Sequence, residues 1–220
     1  MTGTVPQVGI GRRFVGGSAV FGGVMSLVSI AAFTAAFGLQ PDALVPDLAQ
    51  LSPSEAELFR WGALTDMLGF YLAPIPIMLY LRQQADSSLG ASLGTSAGVI
   101  YAVVGAIGAV ILASSVPALI IEGGDAAGAL LSAIRDIVYV GLWQTLETIP
   151  LAVWMFFTAE QLRRGWLKVL ALVIAAGSAV AAAGRLFEIE SAVMALGPAL
   201  ALFPFWLLGV GWKLLRSDGL

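Results

Sequence analysis

Six stretches of this 220-residue chain are each longer than the about 20 apolar residues that a helix needs to cross about 30 Å of hydrocarbon. They are Phe14–Phe37, Leu58–Leu81, Leu93–Ile120, Ile137–Ala159, Trp166–Phe187 and Ser191–Leu215. Only short connections lie between them, so residues 1–220 read as a single transmembrane domain with no soluble module. The expected fold class is all-α, a polytopic transmembrane helical bundle of six spans. Composition agrees: 59% of residues are hydrophobic and 11% are charged, against about 25% charged in soluble domains. Too few polar side chains remain to clothe a globule that faces water on all sides.

The basic residues set an expected orientation. Arg12, Arg13, Arg82, Arg163, Arg164, Lys168, Lys213 and Arg216 fall in the amino-terminal tail, the 2–3 and 4–5 connections and the carboxy-terminal tail. Only Arg60, Arg135 and Arg185 fall toward the other end. Both termini are therefore expected in the cytoplasm, in a multi-pass protein of the inner (plasma) membrane. Arg12-Arg13 before the first span has the look of an export signal, but the apolar run is too long for a signal core and reads as a retained helix.

Absent residue types exclude much chemistry. The chain has no Cys and no His, which removes disulfides, thiolate catalysis, Cys/His zinc sites, imidazole-ligated haem and histidine proton relays. No catalytic residue, metal site or cofactor is expected. A net charge of −3 argues against nucleic acid as a partner.

Local signals refine the map. Ser52-Pro53-Ser54-Glu55 reads as a capping box, starting helix 2 near Pro53. Gly123-Gly124-Asp125 is expected to separate helix 3 from a short interfacial helix at Ala126–Ile134. The connection from Gly38 to Gln50 carries Leu39, Leu44 and Leu48 among prolines and acids, and is expected to fold over the outer mouth of the bundle. Gly90, Gly94 and Gly98, with Gly105 beyond them, recur on helix 3 at a spacing that lets two helices approach closely in lipid. They serve either packing within the monomer or a homo-oligomeric seam.

Two ionisable residues remain deep inside spans, Asp66 and Glu147. At 1.5 Å per residue they lie about 12 Å and about 15 Å from the same end of their helices, near one level. A carboxylate at that depth is expensive and faces the bundle interior or a wet cavity by default. Thr65 adjoins Asp66, while Gln144, Thr148 and Trp143 share the face or edge of Glu147. Pro74 and Pro76 follow Asp66, and Pro150 follows Glu147. Each proline frees a backbone carbonyl that must find another partner in lipid. Arg185 is the one cation within reach, although Glu188 offers it a cheaper pairing. The purely structural alternative is that Gln144, Tyr101 or Arg185 hydrogen-bond the carboxyls and lock the bundle.

With six spans, the capped entry into helix 2, Arg135-Asp136 opening helix 4, and a last helix running from Gly197-Pro198 through Trp206 to Gly211-Trp212-Lys213, the chain resembles a bacterial six-span membrane family catalogued as a domain of unknown function (number 4386). The resemblance implies the architecture and carries over no catalytic residue or substrate. The expected function is a transporter or binder of a proton, cation or small solute, using Asp66, Glu147, Gln144, Thr148, Thr65 and Arg185. The alternative is an accessory or assembly subunit that packs on a membrane-protein partner through helix 3. An intramembrane enzyme ranks third.

Overall fold

The computed structural model describes residues 11–38, 45–85 and 88–216. Six long helices carry the chain back and forth: α1 Arg12–Phe37, α2 Pro53–Gln84, α3 Leu89–Glu122, α4 Gly124–Gln161, α5 Trp166–Leu186 and α6 Glu190–Arg216. All six are long and apolar enough to cross a membrane. No strand occurs among the described residues. The protein is a polytopic helical bundle, as its hydropathy pattern requires.

The helix boundaries follow the local chemistry. Ser52 caps α2 reciprocally: its backbone N–H donates to Glu55 Oε2 at 2.8 Å, and the Glu55 N–H donates to Ser52 Oγ at 3.4 Å. Removing the hydroxyl with Ser52→Ala is expected to lower stability by about 1 kcal/mol, read as a lower melting temperature in detergent. Gly123 and Gly124 turn the chain between α3 and α4 with φ of 66° and 81°, values that a side chain disfavours. The expected helix at Ala126–Ile134 forms, as Gly124–Arg135, but it is not separate from the span that follows. Gly124–Arg135 runs straight into the rest of α4, because no breaker lies between them. Leu39 and Leu44 of the 1–2 connection lie outside the described residues, whereas Leu48 is fully buried against the bundle.

Each helix packs on the next, and α6 returns to α1, closing a six-membered ring. Glycines bring the closing pair together. A Cβ on Gly16 would lie 3.2 Å from the Gly211 carbonyl oxygen, and one on Gly23 would lie 2.9 Å from that of Pro204. In lipid, where helices gain little from the hydrophobic effect, such close contact supplies the packing energy. The ring interior is filled by aromatic rings packed on one another, some stacked and some tilted or edge-to-face. Tyr101 lies 5.5 Å from Trp154, Phe203 lies 5.8 Å from Trp154 and 5.5 Å from Phe70, and Tyr71 lies 5.3 Å from Tyr101. Phe156 and Phe205 point outward instead, as lipid-facing residues do.

Two of the helices are irregular. In α2 the segment Met67–Leu72 widens into a π-helix, with the Ala73 N–H donating to the Leu68 carbonyl five residues back. In α4 the π-helical stretch is Asp136–Glu147. Prolines at positions 74, 76 and 150 have no N–H to donate, so the regular ladder cannot run through them. The Ala73 carbonyl is satisfied across the bundle instead, accepting from the Ser18 hydroxyl at 2.8 Å. Wide π turns of this kind are rare in helices and concentrate at functional positions.

Candidate functional site

Asp66 is the last α-helical residue before the π segment of α2, and Glu147 is the last residue of the π segment of α4. Both carboxyls are buried, at 8% and 4% exposure, and both line one cavity of about 570 Å³. The cavity lies among α1, α2, α4 and α6, at the end of the bundle that carries the 1–2, 3–4 and 5–6 connections. Its rim includes Phe37, Gly38, Pro46 and Gly197, and Phe70 and Tyr71 line it at the level of the aromatic core. It opens because α1 and α6, pressed together at Gly16/Gly211 and at Gly23/Pro204, part beyond those contacts. Ser29 and Phe33 of α1 then face Leu196 and Leu200 of α6 across the gap.

Different helices hold the two carboxyls. Ser29 Oγ of α1 donates to Asp66 Oδ1 at 3.3 Å, and the Tyr71 hydroxyl donates to both oxygens of Glu147 at 3.2 Å. Both carboxyls face the same cavity, whose wall Tyr71 shares. Asp66 Oδ2 is buried and meets no donor in hydrogen-bonding geometry among the described residues. Tyr71 itself is seated by α3, since its ring lies flat against Gly105, where a Cβ would overlap it. Trp143, whose indole N–H donates to the Gly105 carbonyl at 3.4 Å, packs on Gly108 in the same manner.

The other expected site residues divide. Gln144 lines the cavity and is 3% exposed. Arg185 does not pair with Glu188. Its guanidinium turns inward and donates to Gln144 Oε1, because Glu188 lies beyond the end of α5 with an exposed side chain. Arg185 therefore braces a cavity wall without neutralising either carboxylate. Thr65 lies outside the site, its hydroxyl folded back on the Trp61 and Gly62 carbonyls at 2.8 and 3.0 Å. Thr148 is buried but likewise bonds its own helix, at the Gln144 carbonyl. Tyr101 bonds neither carboxyl; it stacks on Trp154, and its hydroxyl has no hydrogen-bond partner among the described residues.

The glycine face of α3 is occupied by the chain's own side chains. A Cβ at Gly90 or Gly94 would meet Phe157 at 2.9 or 2.6 Å, and one at Gly98 would meet Met78 Sδ at 2.8 Å. These glycines, with Gly105, fit α3 against α2 and α4.

Among the described residues there is no group of three or more acidic side chains arranged to hold a metal ion. The described lining offers the carboxyls of Asp66 and Glu147, the hydroxyls of Ser29, Thr34, Tyr71 and Tyr139, and the amide of Gln144, set among aromatic walls. No family model, curated protein or solved structure matches this chain. Its six apolar helices make it an integral, multi-pass membrane protein.

Proposed function

We propose that this protein is a small transporter that binds a proton or a positively charged small solute at Asp66 and Glu147. The observation that carries the reading is the placing of two buried carboxylates, one with an unpartnered oxygen, on the wall of a single cavity. Charged groups inside a membrane bundle are costly and mark ion or solute pathways by default. The cavity is reached from one end of the bundle, and the aromatic packing of Phe70, Tyr71, Tyr101, Trp154 and Phe203 fills the ring beyond it. Access from one side to a site at mid-depth, on irregular helices, is the arrangement that alternating access uses. The excess of Arg and Lys at the opposite end supports a reading in which both termini lie in the cytoplasm of a bacterial inner membrane and the mouth of the cavity lies outside. The resemblance to the six-span family fits this architecture and adds no residue role.

Labelling by a hydrophobic carbodiimide, mapped by mass spectrometry, tests the binding half of this reading. Asp66 and Glu147 are expected to react, and sodium, potassium or an organic ammonium ion is expected to slow the reaction. Labelling of neither carboxyl, or labelling at a rate indifferent both to every cation and to pH, would overturn the reading.

A further inference from the structure

We infer that the cavity takes an amphipathic organic amine, a single ammonium group carried on an apolar or aromatic body, in preference to a bare inorganic cation. This rests on the cation-site reading above and names the substrate class of that site. Size is the first argument. About 570 Å³ lies within the roughly 300–1,000 Å³ typical of pockets for small organic ligands and far exceeds what a dehydrated metal ion fills.

Wall chemistry is the second. Phe33, Phe37, Phe70, Tyr139 and Trp143 surround the polar groups, and Tyr139 and Trp143 form an edge-to-face pair at 5.0 Å. Aromatic faces attract ammonium groups and bury the hydrocarbon attached to them. A hard metal cation demands about six or more oxygen ligands to replace its water, whereas among the described residues the acidic side chains lining the cavity are Asp66 and Glu147.

The disposition of the polar groups is the third. Glu147 is already held by Tyr71 and Asp66 Oδ1 by Ser29, while Asp66 Oδ2 has no donor. An ammonium N–H would satisfy it with a charge-assisted hydrogen bond. No Lys or Arg lines the cavity among the described residues, and Arg185 behind its wall is engaged by Gln144. The ammonium end therefore sits at Asp66 and the apolar body lies along Phe33, Tyr139 and Trp143 toward the rim.

The test uses the full chain in lipid nanodiscs, titrated with 2-phenylethylammonium, its neutral isostere 2-phenylethanol, and sodium, with empty nanodiscs as background. Binding is read by calorimetry and by the fluorescence of the tryptophans, of which Trp143 lines the cavity. The amine is expected to bind saturably, about tenfold or more tighter than the alcohol, and about tenfold or more weaker to Asp66→Asn. Should Asp66→Asn fail to fold, the amine against the alcohol on the wild-type protein decides alone. Equal affinities for amine and alcohol, or no saturable amine binding, would overturn the inference. If the amine fails while an inorganic cation still slows carbodiimide labelling, the substrate class falls and the cation site stands. If neither binds, both fall.

Discussion

The substitution Gly105→Ala is expected to be among the most damaging single changes in the protein, although it adds one methyl group. A Cβ at this position overlaps the ring of Tyr71, and that ring cannot easily retreat. It belongs to the π segment of α2, whose Gly69 presses against the backbone of α1 at Ser26, and it also packs on Tyr101, one turn from Gly105 on α3. Overpacking of such a site costs about 1–3 kcal/mol. Displacing Tyr71 also strips Glu147 of its hydroxyl donor, and a buried acceptor left unsatisfied costs about 1–3 kcal/mol more. Thermal unfolding in detergent should show a clear fall for Gly105→Ala. Tyr71→Phe, which keeps the ring and deletes the hydroxyl, should show a smaller one. Gly128→Ala is the control, since nothing lies within 4 Å of a Cβ there. A melting temperature for Gly105→Ala equal to that of wild type would contradict the tight seating of Tyr71.

Much of this arrangement is legible in the sequence because lipid imposes simple rules. Helix number follows from apolar length, the start of α2 from Ser52 and Glu55, and the candidate carboxylates from their isolation among apolar residues. The partners of those carboxylates are harder to read. Tyr71 stands five residues after Asp66, off its face in a regular α-helix and close to it in the wider π turn, so a period of 3.6 residues hides the relation. Thr65 and Thr148 lie beside the acids in sequence, yet each hydroxyl satisfies itself on its own helix, a local option that hydroxyl side chains often take in apolar surroundings. Ser29 carries one usable signal. With Ser26 it places two serines on a single face of α1, both fully buried in the bundle, where an interior polar partner is the natural inference. Proximity along the chain pairs Arg185 with Glu188, but the positive φ of Glu188 (57°) marks a turn out of α5 that carries this acid away from the bundle interior.

Removing either charge is the second change with a large expected effect, and here the effect falls on function. Asp66→Asn and Glu147→Gln preserve the volume and part of the hydrogen bonding of each side chain while abolishing its negative charge. The amide of Asp66→Asn can still pair with Ser29, and that of Glu147→Gln can still accept from Tyr71, so the fold should persist. What disappears is the capacity to attract and neutralise a cation or to carry a proton. The most direct measurement is flux into proteoliposomes, following protons with an entrapped pH-sensitive dye and radiolabelled 2-phenylethylammonium by filtration, across a range of pH and above a protein-free background. Flux that depends on pH is expected for the wild type, and background flux for Asp66→Asn and Glu147→Gln at matched reconstitution and melting temperature. Equal flux in all three proteins would contradict a role of these carboxylates in transport.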